Sequence, residues 1–184
     1  MTLGDIIQRI HIAILRRSSD EKKVQYLRKQ GMKIGENCHI NTMSFSTEPY
    51  LIELGDNVAI SGGCDLVTHD GAIWCFRREY NNADIFGKIV IGNNVFIGIN
   101  CTILPNTFIG DNCIVGAGSV VRGKFPENSV IIGNPAKVVM KMSFQKFLYL
   151  QNSGLITTHN LTDRQKAKIV KEHFRKLSSG EGKI

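Results

Sequence analysis

Ile91-Gly92-Asn93-Asn94-Val95-Phe96-Ile97-Gly98-Ile99-Asn100-Cys101-Thr102-Ile103 carries an aliphatic residue at every sixth place, and this stretch decides the fold. The count continues through Ile109, Val115 and Val121, so the first place is Ile or Val in six consecutive sixes and the second is Gly in four. Neither the 3.6-residue period of a helix nor the two-residue alternation of a strand repeats at six. A chain that bends after every few extended residues does, with the first place of each six pointing inward and stacking on its counterpart one coil away. Three such sides close one triangular coil of 18 residues.

The same phase runs upstream in Ile34-Gly35-Glu36-Asn37-Cys38-His39 before Ile40, and in Leu54-Gly55-Asp56-Asn57-Val58-Ala59, Ile60-Ser61-Gly62-Gly63-Cys64-Asp65 before Leu66. Gly, Asn and Asp between the inward places are expected at bends, which favour positive φ or side chains that bond nearby backbone. The fifth place is small and tucks against the interior. It holds Cys38, Cys64, Cys101 and Cys113, four of the five cysteines, which read as small buried hydrophobes. An odd count without a CxxC spacing argues against a disulfide framework or a zinc site.

The coil spans about residues 31–140, between a helical segment at 1–30 and a helical extension at 141–184. In the first, Ile6, Ile7, Ile10, Ile14 and Leu15 make an apolar stripe over residues 2–17, with Arg9, Arg16 and Arg17 off it or beyond its end. Asp20 opens a second helix that Gly31 stops. In the extension, Thr162-Asp163-Arg164-Gln165 has capping-box spacing ahead of a basic helix reaching about Leu177, and the Ser178 to Ile184 tail is expected to be loose.

The net charge of +7 is uneven: residues 1–33 carry 8 Lys/Arg against 3 acids, 34–140 carry 6 against 10, and 141–184 carry 9 against 3. The mildly acidic coil, without interleaved aromatic stacking residues, argues against a nucleic-acid surface. The basic ends are expected to cap the coil, pack on a neighbouring subunit, or hold the chain near an anionic membrane surface. No run reaches the roughly 18–20 apolar residues of a membrane span, and the N-terminus lacks a signal peptide's h-region, so a cytoplasmic location is expected.

The repeat breaks at Val67-Thr68-His69-Asp70-Gly71-Ala72-Ile73-Trp74-Cys75-Phe76-Arg77-Arg78, which holds the only Trp. Sixes counted from Leu66 fall at 72, 78, 84 and 90, yet the next clean phase starts at Ile91. About residues 71–88 therefore leave the coil as a loop, and a loop of that length is usually functional. His69 precedes it, at the outward fourth place of its six. His11, His39, His159 and His173 lack this setting and read as structural. The group that orients His69 is left open among a backbone carbonyl, Asp70 and Glu79. Cys75, the one cysteine outside the coil pattern, has no activating neighbour.

The sixes, the Val115-Gly116-Ala117-Gly118-Ser119-Val120-Val121 run and the closing Gly133-Asn134-Pro135-Ala136-Lys137-Val138-Val139 resemble the hexapeptide-repeat acyltransferases, nearest to the galactoside, maltose and capsular-polysaccharide O-acetyltransferases. The resemblance covers about residues 31–140. It implies a left-handed parallel β-helix, a homotrimer with active sites between subunits, acetyl-CoA as co-substrate and no metal. It implies His69 as the general base for a hydroxyl attacking the thioester directly. It places the CoA arm along Ile99, Ala117 and the Arg122–Gly123 pair, and phosphates at Lys137. Where relatives often have Thr-Lys-Asp this chain has Arg122-Gly123-Lys124, so Arg122, Lys124 and Lys137 compete for the 3′-phosphate; Pro135 is expected to fix the chain reversal beside the adenine.

Trp74, Phe76, Arg77, Arg78, Tyr80, Asn81 and Asn82 would offer aromatic faces and polar reach to a sugar or lipid-linked sugar acceptor. Trp74 fits a loop anchor on a neighbouring subunit equally well. The Thr-His-Asp-Gly run before Trp and Phe-Arg resembles capsular and exopolysaccharide acetyltransferases more than galactoside ones. Phe96 and the loop aromatics suggest a closed groove, hence acetyl. Three alternatives stand beside this reading. N-acylation of an amino sugar would use the same base, and a non-catalytic β-helix platform would need none. A γ-type carbonic anhydrase needs three histidines, whereas the repeat region has only His39 and His69.

Overall fold

The computed structural model describes residues 3–179; residue 2 of the expected first helix and residues 180–184 of the expected loose tail lie outside them. From Lys33 the chain winds into a parallel β-solenoid of about five turns. Its inward residues form three columns, one per face. Ile34, Leu54, Ile91, Ile109 and Phe125 pair in register on the first face. Ile40, Ile60, Ile97, Val115 and Ile131 do so on the second, and Phe45, Leu66, Ile103 and Val121 on the third. The first places of the sixes are buried, as the period requires.

Asn and Gly divide the corner chemistry between them. The fourth place of the six turns left-handed: Asn37, Asn57, Asn94, Asn100, Asn106 and Asn112 have φ between 54° and 62°, and Gly63 and Gly118 take the same place. Asn tolerates this region because its short side chain bonds locally. Here those side chains also run from coil to coil, Asn57 Nδ2 donating to Asn94 Oδ1 at 2.8 Å and Asn94 Nδ2 to Asn112 Oδ1 at 3.2 Å. The second-place glycines serve close approach rather than a bend: a Cβ on Gly98 would sit 2.6 Å from the Ala117 nitrogen of the next coil.

The fifth-place cysteines do more than fill space. Cys38, Cys64, Cys101 and Cys113 direct their thiols at the carbonyls of Gly55, Gly98, Gly116 and Pro126 in the following coil, at 3.0–3.3 Å. At the same place Thr107 bonds the Val121 carbonyl of the following coil at 3.1 Å, while Ser119 bonds the Gly116 carbonyl of its own coil at 2.6 Å. Burial pushes the Cys113 thiol up, which keeps it a proton donor.

Helix α1, Leu3–Arg16, packs on α2, Asp20–Lys29, with His11 and Tyr26 ring centroids 5.3 Å apart. Gly31, at φ 93°, follows the end of α2 as expected. α2 closes the open end of the solenoid by satisfying its unpaired edge backbone. Asp20 Oδ1 accepts from the Ile40 amide at 3.1 Å, and Lys23, almost fully buried, donates to the Ile40 carbonyl at 2.7 Å. Arg28 grips the Ile34 carbonyl at 2.7 and 3.0 Å and the Gly35 carbonyl at 2.8 Å. His39 joins this cap through Asp20. Leu15 is buried, whereas Ile6, Ile7, Ile10 and Ile14, the rest of the expected stripe, are exposed.

After strand Ser129–Gly133 the chain reverses at Pro135 into Ala136–Lys141, the one antiparallel partner of the solenoid strands among the described residues. From Ser143 on, the described residues form a second compact unit. It holds most of α3, Met142–Leu150, a helix the sequence reading had not named, and α4, Asp163–Ser178, whose Thr162–Gln165 capping box is formed. His173 donates to the Ser153 carbonyl at 2.6 Å.

Candidate active site

The coils are not uniform, and the irregularities collect at one corner. Ile34 to Leu54 takes 20 residues, Leu54 to Ile91 takes 37, and Ile91 to Ile109 the regular 18. The first coil has a net two extra residues, one fewer than six between Ile40 and Phe45 and three more than six between Phe45 and Leu54, and the second has nineteen extra between Leu66 and Ile91, so both surpluses follow the third face. Phe45 and Leu66 pair in register, so Glu48 and His69, each three residues further on, meet at the same corner of adjacent coils. There the second coil does not turn: His69 bridges antiparallel to Phe86, at the place where the next coil puts the left-handed Asn106.

His69 Nδ1 lies 3.0 Å from Glu48 Oε2. That oxygen also accepts from Thr68 Oγ1 at 2.8 Å, and Oε1 accepts from Thr47 Oγ1. The Glu48 side chain is 13% exposed and that of His69 45%. The Thr47 hydroxyl, joined by His69 and Thr68 against the opposing effect of burial, brings the Glu48 carboxyl from 4.5 down to about 2. Glu48 is therefore an acceptor-only carboxylate, which in a neutral imidazole favours the proton on His69 Nδ1 and the free lone pair on Nε2.

The loop is an ordered structure with its own bonds. Asp70 caps the short 3-10 helix Gly71–Phe76 by accepting from the Ala72 amide at 3.0 Å. The stem is tied by Asp70 N–H to the Ile85 carbonyl at 2.9 Å and Gly87 N–H to the Thr68 carbonyl at 2.8 Å. Arg77 binds the carbonyls of Ala83 at 2.6 Å and Asn81 at 3.2 Å and the Asp84 carboxylate at 2.9 Å. At the loop's foot a cavity of about 250 Å³ is lined by Glu48, His69, Asp70, Ile73, Arg77 and Phe86 among others.

Two sequence expectations change here. The partner of His69 is Glu48; Asp70 is engaged with Ala72 and lies 3.8 Å from Arg122 Nη1, and no Glu79 side-chain bond to His69 forms. Arg77, expected to reach an acceptor, instead holds the loop together through its guanidinium, although it lines the cavity. Trp74, Phe76, Arg78, Tyr80 and Asn82 are exposed on the loop and do not line it, Trp74 being 75% exposed. Cys75 is exposed. The sequence marks the neighbourhood of Glu48 only by a net slip of two residues in the inward phase between Ile40 and Leu54, which does not single the residue out.

On the donor side, Ile99 and Ala117 are exposed on consecutive coils, linked by Gly118 N–H to the Ile99 carbonyl at 2.8 Å. Gly123, at φ 111°, sits at a register shift with nothing within 4 Å of where a Cβ would be. Lys124 Nζ lies 5.7 Å from the Phe108 ring centre, and Lys137 is exposed on the terminal hairpin opposite Ile132. Phe96, expected in a closed groove, is about half exposed. Among the described residues, no cluster of three or more His, Cys, Asp or Glu could hold a metal ion.

A family model described as bacterial transferase hexapeptide (six repeats) matches residues 88–123. Protein CapG of Staphylococcus aureus is 39% identical over 162 residues, covering 86% of this chain and 92% of that protein. A putative lipopolysaccharide biosynthesis O-acetyl transferase, WbbJ of Escherichia coli (strain K12), is 51% identical over 61 residues, 33% of this chain and 31% of that protein. Among solved structures, a galactoside acetyltransferase in complex with coenzyme A shares the fold, with TM-score 0.52, 23% identity, and coverage of 80% of this chain and 86% of that one.

Proposed function

This chain belongs to the bacterial hexapeptide transferase family of acyltransferases, and we propose that it moves an acetyl group from acetyl-CoA to a hydroxyl of a surface-polysaccharide sugar. The observation that carries this reading is the His69 Nδ1 to Glu48 Oε2 contact of 3.0 Å at the mouth of the loop cavity. It leaves one imidazole nitrogen as a base of fixed tautomer, facing a space that could admit a hydroxyl-bearing ring.

Acetyl-CoA supplies an acyl carbon already activated as a thioester. His69 Nε2 takes the proton of the attacking hydroxyl as the new C–O bond forms, and returns it to the sulfur as the C–S bond breaks. Glu48 keeps the imidazole oriented and offsets its transient positive charge. No covalent enzyme intermediate is needed, in keeping with Cys75 lying exposed and outside the lining of the loop cavity. The residues present fit the donor: exposed Ile99 and Ala117 and open space at Gly123 suit a thin amide-bearing arm, and Arg122, Lys124 and Lys137 suit phosphates. Similarity to a lipopolysaccharide O-acetyl transferase supports the acceptor class, and a CoA-bound structural neighbour supports the donor. The reading includes a homotrimer whose loops, with Trp74 exposed, complete the site of a neighbouring copy.

The test needs no knowledge of the acceptor. Calorimetric titration with acetyl-CoA is expected to show about one site per chain, weakened roughly tenfold in Lys137→Ala, as for a lost charge-assisted phosphate contact. A folded protein that binds neither acetyl-CoA nor CoA removes the reading.

A further inference from the structure

α1 has two apolar sides, and the molecule uses one. Leu15 is buried and Ile12 half-buried, and Ile12 lines a cavity of about 240 Å³ together with Tyr26 and Leu27 of α2. On the other side Ile6, Ile7, Ile10 and Ile14 are 38%, 59%, 56% and 61% exposed. Their spacing puts them within about 100° of arc on one helix face. Ile10, Ala13 and Ile14 form a shallow groove that ends on Arg16 and Arg17. The helix and the residue after it hold three arginines against one acid, Asp5. Among the described residues no acid lies within ion-pair reach of Arg16 or Arg17.

We propose that this face of α1 docks on an anionic lipid surface, lying in the plane of the membrane with its isoleucines in the acyl boundary and Arg16 and Arg17 on lipid phosphates. The helix has 14 residues, about 21 Å, so it can lie on a bilayer but not cross one. A protein partner covering the same face would have to offer an aliphatic surface and carboxylates at one end of it. An anionic bilayer offers the apolar interior and the phosphate layer together, and guanidinium groups match phosphate oxygens in pairs. The proposal rests on the acetyl-transfer reading only for its use, which is to bring the enzyme to acceptors carried on lipid.

The experiment is co-sedimentation of the full chain with vesicles of phosphatidylcholine and phosphatidylglycerol, against phosphatidylcholine alone. Binding is expected to require the anionic lipid, to fall about fivefold for each of Arg16→Gln and Arg17→Gln, and to fall at least about tenfold in the Ile10→Ser, Ile14→Ser double variant. These residues are exposed, so the variants should fold, which circular dichroism checks. No sedimentation with anionic vesicles, or sedimentation unchanged in the isoleucine variant, overturns the proposal. An isoleucine variant that dissociates the oligomer assigns the face to a second copy of the chain and overturns it too. Vesicle binding is read without turnover, so it and the acetyl-transfer reading can each fail alone.

Discussion

His69 acts in the proposed reaction through one nitrogen because the other is committed to Glu48. His69→Ala should lower turnover by about 10²- to 10⁴-fold while leaving the acetyl-CoA affinity measured by calorimetry nearly unchanged. Glu48→Gln keeps the shape but presents an amide that can favour the wrong tautomer. It should lower kcat by about 10- to 100-fold with little change in KM for acetyl-CoA. A merely structural role for Glu48 would instead move stability and leave the kcat of the folded fraction alone. The pH sign follows from a depressed carboxyl: the stability Glu48 contributes is fully present above 4.5 and is lost as pH falls through about 2. His69, its outward place and the adjoining excursion were legible as sequence. Glu48 was not, because a phase slip says that two residues are extra without saying which corner holds them.

The cap made by α2 turns a sheet edge into a closed surface through three side chains. Burial disfavours ionised Asp20, but the Ile40 amide, Lys23 and His39 outweigh it and lower its pKa below 3.8. Asp20→Ala leaves the almost fully buried Lys23 ammonium without its counter-charge and the Ile40 amide without its acceptor, and should destabilise the fold by about 1–3 kcal/mol in urea titrations at pH 7. The difference from wild type should be full above pH 3.8 and shrink as pH falls through the lowered pKa, since protonation removes the same interaction. An unchanged difference at low pH would assign the effect to packing. Expected bounds for α2 and α4 agree closely with the observed ones because their stop and start signals, Gly31 and the Thr162–Gln165 box, are local. The left-handed Asn corners were foreseen in kind. The second-place glycines were expected at bends, whereas they stand where the next coil leaves no room for a Cβ.

As a whole, the described part of the chain leaves large apolar groups uncovered on the loop as well as on α1, with Trp74, Phe76, Tyr80 and Phe86 all more than half exposed. Such a surface is expected to be covered by another molecule. In the proposed trimer the loop reaches a neighbour, and sedimentation velocity should give three chains per particle. Trp74→Ala should weaken that assembly if the residue is an anchor. An intact trimer with a raised KM for the acceptor would give Trp74 to the substrate. The sequence by itself determined the coil, its inward columns, the cysteines' place in it and the break at His69, because each follows from a period in which neighbouring residues decide one another's direction. Only the tertiary structure decided that Glu48 meets His69, that Arg77 serves the loop, and that α1 keeps an uncovered apolar face. Those outcomes depend on which residues of distant coils share a corner, and a two-residue shift in register, invisible to a local pattern, changes the answer.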